Sequence, residues 1–197
     1  MFLLSLLVNF VRAPARMESD LLAEIEGLNR RVGALNDRLE TKMQFTWRED
    51  DNKYFEGIND KDGRAVKVGR VAIKNTSEAQ TIDSAEVSII NYAKDESPRQ
   101  ITVDKNLVSS LSGGSCINLH ARREHNFNLF RVRENNVIQF GPFSNGEYSP
   151  PLQPGKYKIK VTASAKNTPR EDCYFFLEFG QKGNVEFRPW RVGEPSR

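Results

Sequence analysis

The apolar and polar residues of this chain alternate with a period of two along most of its length beyond residue 44. The alternation is clearest from Tyr157 to Ser164, where every second side chain is apolar. A period of two predicts β-strands with one buried face. We predict strands over residues 66–74, 85–92, 101–103, 116–119, 127–133, 137–140, 157–164, 173–179 and 185–187. The sequence therefore predicts a mainly β fold, a two-sheet antiparallel sandwich over residues 44–190.

A different pattern precedes the strands. Between residues 17 and 43 the apolar residues are spaced alternately by four and three, which is the heptad pattern of an amphipathic coiled-coil helix. β-branched residues dominate position a and Leu fills position d, which favours a parallel pair of helices. We call these residues the heptad seam: Leu21, Ile25, Leu28, Val32, Leu35 and Leu39. Two interpretations stay open, a homodimer through the seam or a helix folded back on its own domain.

The first sixteen residues form an apolar segment. The apolar run ends near Val11, well short of the roughly 20 residues that cross a bilayer. The segment is a membrane anchor, a cleaved signal, or an extension before a true start at Met17. Because Arg12 and Arg16 follow the run, a cytoplasmic location or the cytoplasmic face of a membrane is favoured over secretion. Membrane contact through residues 1–16 and a short tail over residues 191–197 are the expectations.

A turn before the most regular strand carries a structural signature. Pro154 presets φ for a turn, and Gly155 can take the positive φ that a type II turn requires at its third position. Tyr157 opens the strand with a ring to bury and a hydroxyl to bond the backbone. This arrangement resembles the tyrosine corner of immunoglobulin-like β-sandwiches. The resemblance extends over residues 66–187 and implies a scaffold used for recognition or spacing. Since neither tryptophan lies in a matching strand, it is a likeness of fold alone.

Composition excludes some partners and cofactors. A net charge of +3 on a chain with 28% charged residues gives little attraction for a polyanion, so nucleic acid is not an expected partner. The two cysteines, Cys116 and Cys173, are too few for a disulfide framework. They are two buried, reduced thiols or one cross-strand bridge, and the thiols are favoured. No antibody-type disulfide is expected from the resemblance.

Residues suited to catalysis are sparse. His120 and His125 lie five apart, which is not the spacing of a helical zinc-protease pair. Glu124 or Asp172 could join them as metal ligands if all of them face one side of a loop. The chain contains neither a nucleophile elbow nor a phosphate-binding glycine loop. We therefore expect no enzyme activity, no metal and no cofactor, with a small metal-dependent enzyme using the two histidines as an alternative.

One basic segment with interleaved aromatic residues is the best candidate for an interaction surface. Guanidinium and aromatic groups on adjacent strands could bind an acidic partner. The alternative is a solvated strand face with its aromatic residues in the core. The candidate residues are Arg122, Arg123, Phe127, Arg131 and Arg133.

These observations predict a non-enzymatic protein of macromolecular interaction or assembly. A self-associating helix, with membrane contact at its start, would present an immunoglobulin-like β-sandwich to a protein partner. A structural subunit of a phage, envelope or secretion assembly is an alternative.

Overall fold

The computed structural model describes residues 2–39, 41–47, 54–59, 65–95, 97, 99–133, 136–180 and 184–190, with side chains within the first range at 17–35. The predicted tail at 191–197 lies outside the described residues. The chain divides into two compact units, Met1–Glu40 and Thr41–Arg197.

The first unit is one helix, α1, from Phe2 to Leu39. It begins earlier than the predicted helix because the Leu-rich residues after Met1 are strong helix formers and continue the same helix. It ends earlier as well, since Met43 pairs with Asn75 in a sheet and is not helical. Among the described residues, no helix has an apolar stretch long enough to cross a membrane.

The described part of the second unit contains eleven strands. In chain order they are β1 (Met43–Thr46), β2 (Phe55–Asn59), β3 (Ala65–Asn75), β4 (Ile82–Lys94), β5 (Gln100–Asn106), β6 (Cys116–Leu119), β7 (Glu124–Val132), β8 (Ile138–Phe140), β9 (Gly155–Ala165), β10 (Thr168–Phe179) and β11 (Val185–Pro189). Nine of them overlap the predicted strands, and β1 and β2 are additional.

The strands form two antiparallel sheets, as the alternation predicts. The first sheet has the order β1-β3-β7-β8, and β2 also pairs with β3. The second has the order β11-β10-β9-β4-β5, and β6 also pairs with β4. The hydrophobic core lies between the sheets, where aromatic rings from opposite sheets meet. The closest cross-sheet ring centroids are 4.9 Å apart for Tyr92–Phe140, 5.1 Å for Phe130–Phe187 and 6.1 Å for Phe45–Phe175.

A β-bulge at Leu129 interrupts the pairing of β7 with β3. The extra residue places Phe127 and Phe130, which are three residues apart, on the same inner face of the sheet. Phe127 is fully buried in the core. Its assignment to an interaction surface is therefore wrong, and its alternation with polar neighbours marks a core position.

The turn before β9 contains the predicted hydrogen bond of Tyr157 but not the predicted type II geometry. The Tyr157 hydroxyl donates a 2.6 Å hydrogen bond to the backbone carbonyl of Gln153, four residues upstream. Pro154 is exposed at the bend, and Gly155 has a positive φ of 151°. This φ is far from the value of about +80° in a type II turn, because Gly155 already pairs with Phe179 as the first residue of the strand.

Candidate functional site: a cleft on the outer face of the first sheet

The four predicted arginines lie at opposite ends of β7. Arg122 and Arg123 are exposed in the connection that precedes the strand, whereas Arg131 and Arg133 lie at its far end. Nine residues of extended chain span about 30 Å. The arginines therefore do not form the single surface that the sequence suggested. Arg131 and Arg133 line a concave site.

That site, which we call the outer cleft, lies on the face of the first sheet that points away from the core. Its volume is about 600 Å³, within the range of ligand-binding pockets. Val66, Val68 and Ile58 lie on its sheet face. The other lining residues include Val108, Gly113, Gly141, Pro142, Phe143, Ser144, Gly146 and Tyr148.

The floor of the outer cleft is apolar and sheltered. Val66 and Val68 are each only 5% exposed, although neither belongs to the cluster between the sheets. Val68 pairs directly with Arg131 across β3 and β7, so the two side chains share the outer face. The floor thus combines buried apolar side chains with a cation beside them.

The side formed by residues 141–148 is a tightly anchored turn. Phe143 is buried, and its backbone N–H donates a 2.9 Å hydrogen bond to the carbonyl of Glu147. A Cβ on Gly141 would lie only 2.9 Å from that same carbonyl, and Gly141 has a φ of +113°, so this position requires glycine. Outside the turn, Lys105 pairs with the Glu147 carboxylate at 3.0 Å. Hydrogen bonds from Lys105 and from Asn145 lower the pKa of Glu147.

Arg131 is held in a fixed orientation within the outer cleft. Its guanidinium carbon lies 3.3 Å from the ring centroid of Tyr148, a cation–π contact. Its Nη2 donates a 3.0 Å hydrogen bond to Oε1 of Gln139, and Nε2 of Gln139 donates in turn to the backbone carbonyl of Ser149 at 2.9 Å. This chain of contacts orients the planar guanidinium.

The charge balance of the outer cleft is positive among the residues that the structure describes. Both charged side chains lining it there are arginines, Arg131 and Arg133. The neighbouring Arg70 is compensated, since its Nη1 lies 2.6 Å from the Glu56 carboxylate and its Nε donates to Asn128 at 3.2 Å. The described part of the outer cleft therefore places cationic and apolar groups side by side, as binding surfaces commonly do.

The two histidines have different partners. His120 is exposed, with Nδ1 3.3 Å from the Thr81 hydroxyl, whereas His125 is partly buried, with Nε2 2.6 Å from the Ser109 hydroxyl. Burial lowers the pKa of His125. Within the described ranges, no group of three or more His, Cys, Asp and Glu side chains is placed to hold a metal ion.

The acidic residues considered as further ligands are engaged in structural contacts. Glu124 accepts a 2.8 Å hydrogen bond from the Thr46 hydroxyl. Burial alone would raise the pKa of Asp172, but hydrogen bonds from Lys160, Thr162 and Arg170 outweigh it and lower the pKa to about 2.

Both cysteines are free thiols, so the alternative of a cross-strand bridge is wrong. The expectation that both are buried is wrong for Cys116, which is exposed near the start of β6. Cys173 is partly buried, and burial raises the pKa of its thiol to about 11.

Sequence reasoning missed Val66, Val68, Gln139 and Tyr148 as contributors to a site. The valines look like ordinary core residues, because a strand pattern does not show which face is sheltered by a distant loop. The one available signal was Tyr148, an aromatic residue in the otherwise polar stretch from Ser144 to Ser149. Comparison of the chain with protein-family models, with curated proteins and with solved structures finds no match.

Proposed function

We propose that this is a non-enzymatic assembly protein in which α1 pairs with α1 of a second copy and presents an immunoglobulin-like β domain to a protein partner. The observation that carries the proposal is the exposure of the heptad seam. The five seam residues whose side chains are described are between 50% and 56% exposed, namely Leu21, Ile25, Leu28, Val32 and Leu35.

A continuous half-exposed apolar stripe favours association in water. Covering a half-exposed Leu or Ile stabilises the associated state by roughly 1 kcal/mol, and a dimer covers the stripe of both chains. The a and d identities favour a parallel pair. Gly27 and Gly33 lie within the helix and each lower its stability by about 1 kcal/mol relative to Ala, so pairing would also support the helix itself.

The strand order supports an immunoglobulin-like β domain. The order β1-β3-β7 follows the A-B-E order of that fold, and β5-β4-β9-β10 follows the order C′-C-F-G. Tyr157 then lies near the start of the strand that corresponds to F, where tyrosine corners occur. Four strands depart from the pattern: β8 and β11 extend the sheets beyond E and G, β2 pairs with β3, and β6 pairs with β4. Domains of this architecture serve many recognition functions, so the fold does not identify the partner, which must be inferred from the residues of a binding site.

The proposal that the protein is not an enzyme is supported by the structural hydrogen bonds of its titratable side chains. His125 bonds to Ser109, and Asp172 bonds to Lys160, Thr162 and Arg170, so these side chains stabilise strands and turns. General acid and base catalysis instead needs such groups to converge on one concave site.

Self-association is tested by light scattering on the full chain at concentrations on the order of tens of micromolar, where weak dimers of this kind form. Wild type is expected to have twice the mass of one chain. The double variant Leu28→Glu and Leu35→Glu should be a monomer, because it places charges in the apolar seam.

The matched control adds the same two charges elsewhere on α1. Ala23→Glu and Ala34→Glu occupy heptad positions f and c, away from the seam, and should leave the dimer intact. Circular dichroism checks that each variant keeps its helix. A monomeric wild type, or a seam variant that dimerises as wild type does, contradicts the proposal.

A further inference from the structure

We propose that the outer face of the second sheet binds a segment of a protein partner, with one Asp or Glu carboxylate of that segment at Lys158 and an apolar side chain on Tyr174 and Trp190. We call these three residues the aromatic patch. The inference rests on the proposed function, because it names the chemistry of the partner that the β domain recognises. The patch belongs to the β domain alone, so the inference can fail or succeed independently of helix pairing.

The aromatic patch lies on the face of the sheet that points away from the core. Ile159 is fully buried in the core, so Lys158 next to it in β9 points to the opposite face. Phe175 is buried likewise, and Tyr174 next to it in β10 shares the outer face. Trp190 follows β11, and its backbone N–H donates a 2.8 Å hydrogen bond to the carbonyl of Tyr174. Three strands therefore bring the patch together.

The contacts within the aromatic patch hold the ammonium group of Lys158 in place. Its Nζ lies 3.5 Å from the ring centroid of Trp190 and 4.7 Å from that of Tyr174. The centroids of the two rings are 6.1 Å apart, and the ring planes meet at 67°. All three side chains are partly exposed. Cation–π contacts of this kind position the charge before a partner arrives, which lowers the cost of binding.

The polar atoms of the aromatic patch are available to a ligand. Nζ of Lys158, the hydroxyl of Tyr174 and Nε1 of Trp190 make no hydrogen bond to any residue that the structure describes. A cation–π contact engages the charge of the ammonium group but supplies no lone pair to its N–H donors. A carboxylate accepts several hydrogen bonds and carries the complementary charge, so it suits this group of donors.

The charge pattern around the aromatic patch favours a single carboxylate over a polyanion. The neighbouring charged side chains on this face form ion pairs, namely Lys156–Glu178, Lys160–Asp172 and Arg188–Glu186. Lys158 forms no ion pair within the described part of the chain. A nucleic acid would meet the three carboxylates of these pairs as well as the cations, whereas one carboxylate can pair with Lys158 alone.

The arrangement of rings and ion pairs resembles that of a protein interface. Trp and Tyr are enriched among the residues that contribute most to protein binding, and a polar rim commonly surrounds them. Lys160 lies opposite Tyr174, and Arg188 lies opposite Phe176, so ion-paired residues flank the patch along the strands. Arg188 covers the ring of Phe176 at 4.9 Å. Tyr174 and Trp190 therefore supply the accessible aromatic surface for an apolar side chain of the partner.

The experiment selects short random peptides displayed on phage against the full chain, with Lys158→Gln as the counter-target. The expected peptides combine Asp or Glu with an apolar or aromatic residue, and their affinity should fall roughly tenfold for Lys158→Gln. The matched control is Lys67→Gln in the first sheet, which should bind as wild type does. Lys67 also lies over an aromatic ring, with Nζ 5.8 Å from the centroid of Phe55.

A charge exchange separates the loss of a contact from the loss of the fold. Lys158→Glu should reject the selected peptides, and it should bind the same peptides after their acidic residue is replaced by Lys. Restored binding would show that this variant is folded. Lys158→Glu that keeps the wild-type urea midpoint but does not bind the exchanged peptides contradicts the inference.

NMR locates the bound peptide on wild-type protein. The chain has two tryptophans, so it has two indole N–H signals, which Trp190→Phe assigns. The tightest peptide should shift the signal of Trp190 more than that of Trp47, whose Nε1 is buried.

Three results would overturn the inference: selected peptides without acidic residues, equal binding to Lys158→Gln, or an unshifted signal of Trp190. Failure to select any peptide also overturns it, and binding of oligothymidylate that Lys158→Gln weakens would in that case assign the patch to a polyanion. A dimer that selects no acidic peptide overturns only this inference. A monomer that selects them overturns only the proposed self-association.

Discussion

The ring of Phe130 fills the space that a side chain on Gly69 would need. These residues pair across β3 and β7, and a Cβ built on Gly69 would lie 2.2 Å from two atoms of the ring. Phe130 is fully buried and contacts Phe187 of the opposite sheet, so the ring has little room to move. Gly69→Ala should therefore destabilise the domain by about 1–3 kcal/mol, the usual cost of overpacking a core.

The control for Gly69→Ala is Gly57→Ala in the neighbouring strand β2. A Cβ on Gly57 would meet nothing within 4 Å, so this variant should leave the urea midpoint close to that of wild type. Equal midpoints for the two variants would contradict the packing of Phe130 against Gly69.

Tyr157→Phe should lower the free energy of unfolding by about 1–2 kcal/mol. The substitution keeps the buried ring but leaves the carbonyl of Gln153 without its 2.6 Å hydrogen bond. Urea unfolding gives the midpoint, and Tyr174→Phe is the control, because the Tyr174 hydroxyl makes no hydrogen bond to the residues that the structure describes. An unchanged midpoint for Tyr157→Phe would contradict a stabilising role of the hydrogen bond between Tyr157 and Gln153.

Features encoded by neighbouring residues could be predicted from the sequence. The turn before Tyr157 and the alternation after it are local, and the structure places a strand and a backbone hydrogen bond there. The heptad spacing of α1 is local too, but the position at which the helix ends depends on residues distant in the sequence. Its carboxyl end is set by the pairing of Met43 with Asn75, a partner 32 residues away that no helical pattern contains.

The outer cleft could not be predicted, because its parts come together through sheet register and through a turn between distant strands. Val68 and Arg131 are 63 residues apart and become neighbours because β3 pairs with β7. The bulge at Leu129 also shifts the alternation of inward and outward side chains within β7 by one residue. A strict period of two therefore assigns the side chains on one side of the bulge to the wrong face of the sheet. Tyr148 reaches Arg131 through a turn whose path depends on Gly141.

The two thiols should react with a disulfide reagent at very different rates. Cys116 is exposed, whereas burial raises the pKa of Cys173 to about 11 and keeps its thiol protonated near neutral pH. Since the thiolate is the reactive form, the slow phase should accelerate about tenfold per pH unit until the pH approaches that pKa. Cys116→Ser should abolish the fast phase, and Cys173→Ser the slow one. A fast phase that persists in Cys116→Ser would contradict these assignments.

His125 should make the domain less stable in weak acid. The Ser109 hydroxyl oxygen accepts backbone N–H groups from Leu111 and Ser112, so its proton is donated to Nε2 of His125, which must be neutral. Burial lowers the pKa of His125 in the folded state. The unfolded chain therefore binds a proton more readily, and the stabilisation is complete above the unfolded pKa of about 6.5 and is lost as the pH falls below it.

The measurement is the urea midpoint at several pH values between about 7 and about 5, the window in which an ordinary and a depressed histidine pKa differ. Wild type should lose stability across this window, and His120→Gln, which changes an exposed histidine, should follow the same curve. His125→Gln removes the titrating group while keeping an amide that can accept from Ser109, so its midpoint should vary less with pH. Parallel curves for His125→Gln and wild type would mean that another group causes the acid sensitivity.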